Sequence, residues 1–330
     1  MAGQATPIGT NVVNSISRRY IMPDITDQIY NSNAVFYRIN QSNKRIIRGG
    51  FQIETPLMYS KFITGGPYEG FDVLDVAPSD TVKNGAWQWR QQYVNVTVDG
   101  LTLIKTDSPE AIANFLQMYF AQAEMQMSDN LGTGLWSSGT NTKQIDGLGM
   151  AVDDGGVTAT YGGITRASNT WWNAVLSSTA TMTLSLLQTM WGNTQYGGRH
   201  TTLIASRQEQ YNRYWALSAG GGTNGIQRFP VGPGGHDEQL ASAGFTNLLF
   251  NNAPWIIDSH VPDGPNSSNS AVYFLNEDYI WLAVSPRADF WMEDFQTPVN
   301  QDAMVAKLLW AGNLVVTNCK SQGKLTGITG

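Results

Sequence analysis

The sequence predicts a mixed α+β fold, and three stretches carry that prediction. Arg45 to Asp99 reads as strand and turn, Pro109 to Leu131 as one long amphipathic helix, and the second half as short apolar strands interleaved with helical runs. A chain of 330 residues can bury a sizeable core, and its length allows one large domain or two to three smaller ones.

Residues 1 to 44 are polar, rich in Asn, Ser and Ile, and show no sustained period. "ITDQIYNSNAVFYRIN" has room for a short helix, but the segment reads mainly as an extended arm. From Arg45 to Asp99, Gly49-Gly50, Gly65-Gly66-Pro67 and Pro78 punctuate short β-type runs. Trp87, Trp89 and Tyr93 share one alternation phase, and Val94, Val96 and Val98 the other. The flip near Gln92 means that the buried face changes sides, as when a strand leaves one packing environment for another or bulges. The segment as a whole reads as a long hairpin with few residues able to form a core of its own.

The long helix has Asp107 or Ser108 as cap, Pro109 in its first turn and Glu110 near the positive end of its dipole. Ile112, Phe115, Leu116, Tyr119, Phe120, Ala123, Met127 and Leu131 recur at three- and four-residue steps, and Gly132 and Gly134 are expected to end it. Beyond it, "TLSLLQTMW" from Thr183 reads as helix and "TTLIAS" as a buried strand, while Ser206 and Glu209 have capping-box spacing. Residues 220 to 235 read as a loose glycine-rich loop. "TNLLFNNAPWIIDSHVP" and "AVYFLNEDYIWLAVSP" supply further strands, and "AMVAKLLWAGNLVVTN" reads as two strands around Gly312-Asn313.

Charged residues make up only 14% of the chain, against about 25% in an ordinary soluble domain. Much of the surface must therefore be neutral or apolar, which suits a protein working inside an assembly. A net charge of −6 provides no global basic field for nucleic acid. Cys319 is the single cysteine, so an intrachain disulfide and a cysteine-based metal site are both impossible; it is expected to be a small, half-buried residue. The opening residues lack the basic segment and apolar core of a secretion signal, and no run of about 18 apolar residues occurs. The expectation is a soluble protein made inside the cell, with no membrane partner.

The stretch "DGLGMAVDDGGVTATYGGITRASNTWWN", Asp146 to Asn173, poses the question of chemistry. Asp153 and Asp154 stand side by side as an acid–base pair would, or as calcium ligands with Asp146, yet no loop of alternating oxygen ligands surrounds them. Their plain reading is a turn rich in Asp and Gly. Gly220, Gly222 and Gly225 match G-x-G-x-x-G, but the triplet follows a helix and precedes "IQRFPVGPGG", where a dinucleotide fingerprint must follow a strand and open a helix. His200, His236 and His260 have no metal-ligand spacing and no nucleophile elbow; Asp258 and His260, two apart in an expected strand, face one side. Trp87, Trp89, Trp281 and Trp310 sit in strand patterns where packing is their ordinary role. In the pair Trp171-Trp172 one ring is free to reach an interface. The cluster Lys44, Arg45 and Arg48 is too small for nucleic acid but suits acids on a neighbour. No catalytic, metal or cofactor-binding residue is assigned.

The order of a polar arm, a two-stranded excursion, one long helix, a glycine-rich link, an α/β region and a closing β segment resembles the tailed-bacteriophage major capsid protein family with the Hong Kong 97-type fold. "IDGLGMAVDDGGVTATYGGITRASNTWWNA", "SRQEQYNRYW" and "KLLWAGNLVVTNCKSQGKL" are the stretches most like its members. The resemblance implies an N-terminal arm over residues 1–44 and an extended loop over 45–99 that lies on an adjacent subunit through Lys61, Gly65, Gly66, Pro67, Tyr68 and Phe71. It implies a peripheral domain from 100–169 and 290–330 with the long helix as spine, and an axial domain over 170–289. Gly220, Gly222, Gly225 and Arg228 would lie near the symmetry axes, and Asp146, Gly155, Gly156, Trp171 and Trp172 in a structural link.

The function so implied is self-assembly into hexamers and pentamers of an icosahedral shell. That shell would enclose double-stranded DNA without sequence-specific contacts, with portal, scaffolding or decoration proteins as partners. The subunit would be a non-enzymatic part of the virion, assembled in the cytoplasm of a bacterial host. The resemblance includes a lysine–asparagine cross-link in some members; Lys61 and Lys83 are the lysines in reach, and no motif supports that chemistry here. Two other readings stand beside it: an encapsulin-like nanocompartment shell, and a glycan-active protein using Trp171 or Trp172 with Asp153 and Asp154.

Overall fold

The computed structural model describes residues 33–62, 65–74, 77–101, 109–179, 181–218, 248–262, 271–299 and 301–328. Most of the expected arm, the caps Asp107 and Ser108, His236, and the glycine-rich loop with Gly220, Gly222, Gly225 and Arg228 lie outside these residues.

The chain enters as helix α1 (Ala34–Asn43), followed at once by strand β1 (Lys44–Ile46). Strands β2 (Ile53–Met58) and β3 (Val82–Trp87) form a two-stranded ribbon, and β4 (Arg90–Asp99) leads back to the body. The long helix α2 (Pro109–Leu135) follows, then a link with the short helix α3 (Leu148–Ala151) and the small hairpin β5 (Thr160–Tyr161) and β6 (Ile164–Thr165). The second half runs β7 (Val175–Ser178), α4 (Leu184–Asn193), β8 (Leu203–Ser206), α5 (Gln208–Ser218), β9 (Leu248–Phe250), β10 (Ala253–Ile257) and β11 (Val272–Leu275). Strands β12 (Ile280–Val284), β13 (Trp291–Met292), β14 (Ala303–Val316) and β15 (Gly323–Thr326) close the chain. The fold is α+β, as the sequence predicts.

Two sheets organise the body. One is five-stranded: β14 pairs antiparallel with β4 through residues 303–312, and with β12 through 312–316, while β1 and β13 complete it. The other is six-stranded, in the order β7-β15-β11-β8-β10-β9. Central β8 shows why "LIAS" carries no polar alternation. Leu203 and Ala205 point into the core shared with α1, α2 and the five-stranded sheet, while Ile204 joins a second core with Met190, Trp191, Tyr214 and Trp255. Between β9 and β10, Asn251 and Asn252 both hold positive φ, 47° and 70°, the signature of a tight hairpin turn that asparagine tolerates.

The phase flip at Gln92 marks a change of sheet: β3 ends in the ribbon at Trp87 and β4 begins in the five-stranded sheet at Arg90. Several expectations need correcting. Residues 34–43 are a helix and not arm, because Asn33 accepts from the Phe36 amide at 3.2 Å and Ala34, Val35, Phe36 and Ile39 are buried in the main core. Helix α2 runs past Gly132 and Gly134 to Leu135. A Cβ on Gly132 would meet Asn33 Nδ2 at 2.6 Å and one on Gly134 would meet Ile145 at 3.0 Å, so these glycines admit neighbours and do not stop the helix. Ser206 is no cap: its hydroxyl accepts from the Trp255 indole at 2.7 Å and donates to the Arg207 carbonyl. Cys319 is fully buried, which pushes its thiol up to about 12 although the Arg166 guanidinium pulls the other way.

The segment expected as two strands around Gly312-Asn313 is one strand of 14 residues. Gly312 is where β14 passes from β4 to β12, and a Cβ there would lie 2.4 Å from the Ala283 carbonyl oxygen. The same overlap makes a prediction. Gly312→Ala should lower unfolding stability in denaturant by about 1–3 kcal/mol, the usual cost of forcing extra volume into a packed site. An unchanged transition midpoint would contradict this reading of the strand.

Candidate functional site: a ribbon rooted in the core with an apolar tip

The ribbon is buried only at its root. Ile53, Leu57 and Trp87 belong to the main core, and the indole of Trp87 lies over two glycines. A Cβ on Gly85 would touch that ring at 2.6 Å and one on Gly162 at 2.8 Å; Gly162 also holds φ +56° and accepts from the Ala86 amide at 2.9 Å. Further out, Tyr59 stacks on Trp171 with centroids 5.4 Å apart. Lys83 lies 5.2 Å above the Tyr59 ring and donates to Asn169 Oδ1 at 2.6 Å, an oxygen that also accepts from the Trp171 indole. Of the tryptophan pair, expected to send one ring to an interface, Trp171 grips the ribbon of its own chain. Trp172 is buried and donates to the Tyr161 carbonyl.

Beyond Met58 and before Val82 the described residues form no strand. Lys61, Gly65, Gly66 and Pro67 are exposed, and so are the large apolar side chains: Phe62 is 75% exposed, Tyr68 67% and Val73 98%, with Phe71 fully open. The order found there is a local turn, in which the Glu69 amide donates to the Asp72 carboxylate and the Asp72 amide to the Glu69 carbonyl. Large apolar side chains exposed together, with no core of their own, are a pattern more often met at interaction surfaces than on free monomers.

The root is anchored in the link that the sequence singled out. Asp153 is buried, and its Oδ2 accepts from the amides of Gly155, Val157 and Thr158 at 3.0, 3.1 and 2.7 Å and from Arg166 Nη1 at 3.4 Å. Arg166 is wholly buried and donates to the carbonyls of Met150, Ala151 and Thr158. Asp154 is exposed and accepts from the Gly156 amide. The two carboxylates thus face different surroundings, Asp153 turned inward to backbone amides and Arg166 and Asp154 outward to solvent. Gly155 holds φ +105°, closing the turn over Arg166. Asp146 makes a reciprocal pair with buried Asn313, amide to side-chain oxygen and side-chain nitrogen to carboxylate, both at 2.8 Å, and it accepts from Arg90 at 3.1 Å.

Arg166, Asn313, Asn169 and Tyr59 were not singled out in the sequence, since their partners are backbone carbonyls or residues far along the chain. Of the basic cluster, Lys44 is bound to Asp289 and Arg45 lies 4.6 Å over the Trp281 ring, both within the chain, while Arg48 is exposed. His260 and Asp258 do face each other, though in a turn after β10 and with Asp129 of α2 as a third member. His200 stacks on Trp191. Among the described residues there is no group of three or more His, Cys, Asp or Glu able to hold a metal ion, and no helix long and apolar enough to cross a membrane.

The sequence matches no protein-family model and no curated protein. The fold does find matches among solved structures. The cyanophage A-1(L) capsid subunit superposes with a TM-score of 0.62 at 16% identity, covering 92% of this chain and 93% of that one. The capsid of a native GTA particle gives 0.56 at 10% identity over 88% and 90%. The SrpI encapsulin complex of Synechococcus elongatus PCC 7942 gives 0.55 at 10% identity over 88% and 86%. The chain therefore has the fold of capsid and encapsulin shell proteins over most of its length.

Two substitutions separate anchor from core. Trp171→Ala should speed trypsin cleavage at Lys61 and Lys83 several-fold while changing global stability little, because Trp171 is only half-buried. Arg166→Met should cost about 3–5 kcal/mol by stranding the Asp153 carboxylate. Equal effects of the two on global unfolding would show that ribbon and body are one cooperative unit.

Proposed function

We propose that this chain is the major capsid protein of a tailed bacteriophage. In this reading it self-assembles into hexamers and pentamers of an icosahedral shell around double-stranded DNA. The observation that carries the reading is the ribbon: its root is locked into the core, and its tip presents Phe62, Tyr68, Phe71 and Val73 to solvent. A second copy of the chain is the cover such a tip needs in a particle made of one repeated subunit. The capsid fold supports the same conclusion, as does a surface with few charges.

In the Hong Kong 97-type scheme, residues 45–99 are the extended loop and α2 is the spine of a peripheral domain comprising 100–169 and 290–330. Residues 170–289 form the axial domain, whose glycine-rich loop meets its copies about the symmetry axes. Residues 1–44 then begin with an arm and end in core helix α1. The subunit is a building block and not an enzyme, a component of the virion assembled in the host cytoplasm. Portal, scaffolding or decoration proteins are its partners, and net negative charge keeps its hold on DNA weak and sequence-independent.

The encapsulin match favours a second reading, a nanocompartment shell with a protein cargo, because its coverage and TM-score are close to those of the GTA capsid. Expression with the neighbouring genes separates the two: particles filled with nucleic acid support the phage reading, and particles filled with a protein support the nanocompartment.

Both readings share one test. Tyr68→Ser with Phe71→Ser alters only exposed side chains and should leave subunit stability within about 0.5 kcal/mol of the wild type. Light scattering and negative-stain microscopy should show closed particles for the wild type and unassembled subunits for the double variant. Normal particles from the double variant, or from a deletion of Gly65 to Ala77, would remove the tip from the account.

A further inference from the structure

Helix α2 and the six-stranded sheet meet at a charged contact that shell assembly through the ribbon does not explain. His260 follows β10 and lays its ring in a notch on α2. The notch exists because residue 132 is glycine: a Cβ there would come within 2.8 Å of both Cε1 and Nδ1 of the ring and 2.6 Å of Asn33 Nδ2. On one side of the ring, Nε2 lies 3.0 Å from Asp129 Oδ1. On the other, Nδ1 lies 3.4 Å from Asp258 Oδ1, an oxygen that also accepts from the His260 amide at 2.9 Å.

A neutral imidazole carries one N–H and one bare lone pair. With a carboxylate oxygen beside each nitrogen, either neutral tautomer turns a lone pair toward a negative oxygen, whereas the imidazolium donates from Nε2 to Asp129 and sets its positive Nδ1 edge at ion-pair distance from Asp258. We propose that His260 is a protonation-dependent latch, which ties the C-terminal half of α2 to the turn after β10 while charged and releases that contact on losing its proton.

The titratable groups facing the ring are Asp129 from α2 and Asp258 from the turn after β10; α1 contributes the uncharged Asn33. Burial disfavours the charged ring, but the Asp258 carboxylate, with Asp129 behind it, raises the pKa from 6.5 to about 9. The contribution to stability is therefore complete below about 6.5 and fades as the pH rises through about 9. The latch belongs to the subunit, so it stands or falls separately from the shell reading.

The test follows the His260 ring proton by NMR in the full chain, identified by its absence in His260→Gln, alongside amide exchange in residues 125–135 and 253–262 at pH 7 to 10. The wild type should titrate near pH 9 and lose protection in both segments across the same range. Asp129→Asn changes a largely exposed residue, so it should fold, and it should move both midpoints together toward an ordinary histidine value. Gly132→Ala keeps all three charges but fills the notch, and should uncouple exchange from the titration. A midpoint at or below pH 7 in the wild type, or a loss of protection that stays at the same pH in Asp129→Asn, would overturn the latch.

Discussion

A guanidinium sealed from water has to be surrounded by acceptors, and the link between α2 and β7 is shaped by that requirement at Arg166. Three backbone carbonyls and the Asp153 carboxylate close around it, while three backbone amides donate to the same carboxylate oxygen. The guanidinium also sits 5.7 Å from the Tyr161 ring, and on Tyr161 the larger elements converge. Trp87 from the ribbon root meets the ring edge-on, Trp172 stacks on it, and the Val316 amide at the end of β14 donates to its hydroxyl. Burial holds that phenol well above its ordinary pKa, so it stays neutral and able to accept. The knot ties ribbon, link and five-stranded sheet into one body.

A fixed root and an uncovered tip give the ribbon its asymmetry. Each Å² of apolar surface left in water forgoes about 25 cal/mol, and the tip holds several large side chains in that condition. Because the root is packed into the core, the ordering needed to cover the tip would be confined to the tip itself, and under the shell reading the contact can be modest yet productive when repeated. The His260 contact adds a different element. It joins α2 to the turn after β10 through a group whose charge depends on pH, at a place where the helix has been hollowed out by a glycine.

Regular elements were legible where their periodicity reflects a single environment. The stripe Leu116, Phe120, Ala123, Met127 and Leu131 is buried along α2, and the unbroken apolar run of β8 is explained by cores on both faces. The flip near Gln92 disclosed a change of sheet without saying which sheets. Glycine was the main source of error, because one residue type serves turns and close approaches alike. Gly132, Gly134 and Gly312 signal termination in a sequence, and in the fold they let a neighbour's side chain or backbone come near. Helix α1 was hidden because its stability comes from the core it packs against and not from its own pattern. Arg166 was hidden for a related reason: backbone carbonyls leave no trace in a sequence.

The candidate surface was better marked than its anchor. "FITGGPYEGFDVL" combines aromatics with turn residues and no period, which already describes apolar groups lacking a core. Its grip on the body depends on Tyr59, Lys83, Asn169 and Trp171, brought together across more than a hundred residues.

The most direct measurement of the central claim is amide hydrogen exchange across residues 59–81 in dissociated subunits and in assembled particles. The account predicts fast exchange in the subunit, where the described residues of this stretch form no strand, and strong protection in the particle, with the ribbon root at Trp87 protected in both. Equally fast exchange at the tip in both states would mean that assembly does not cover it, and would contradict the account.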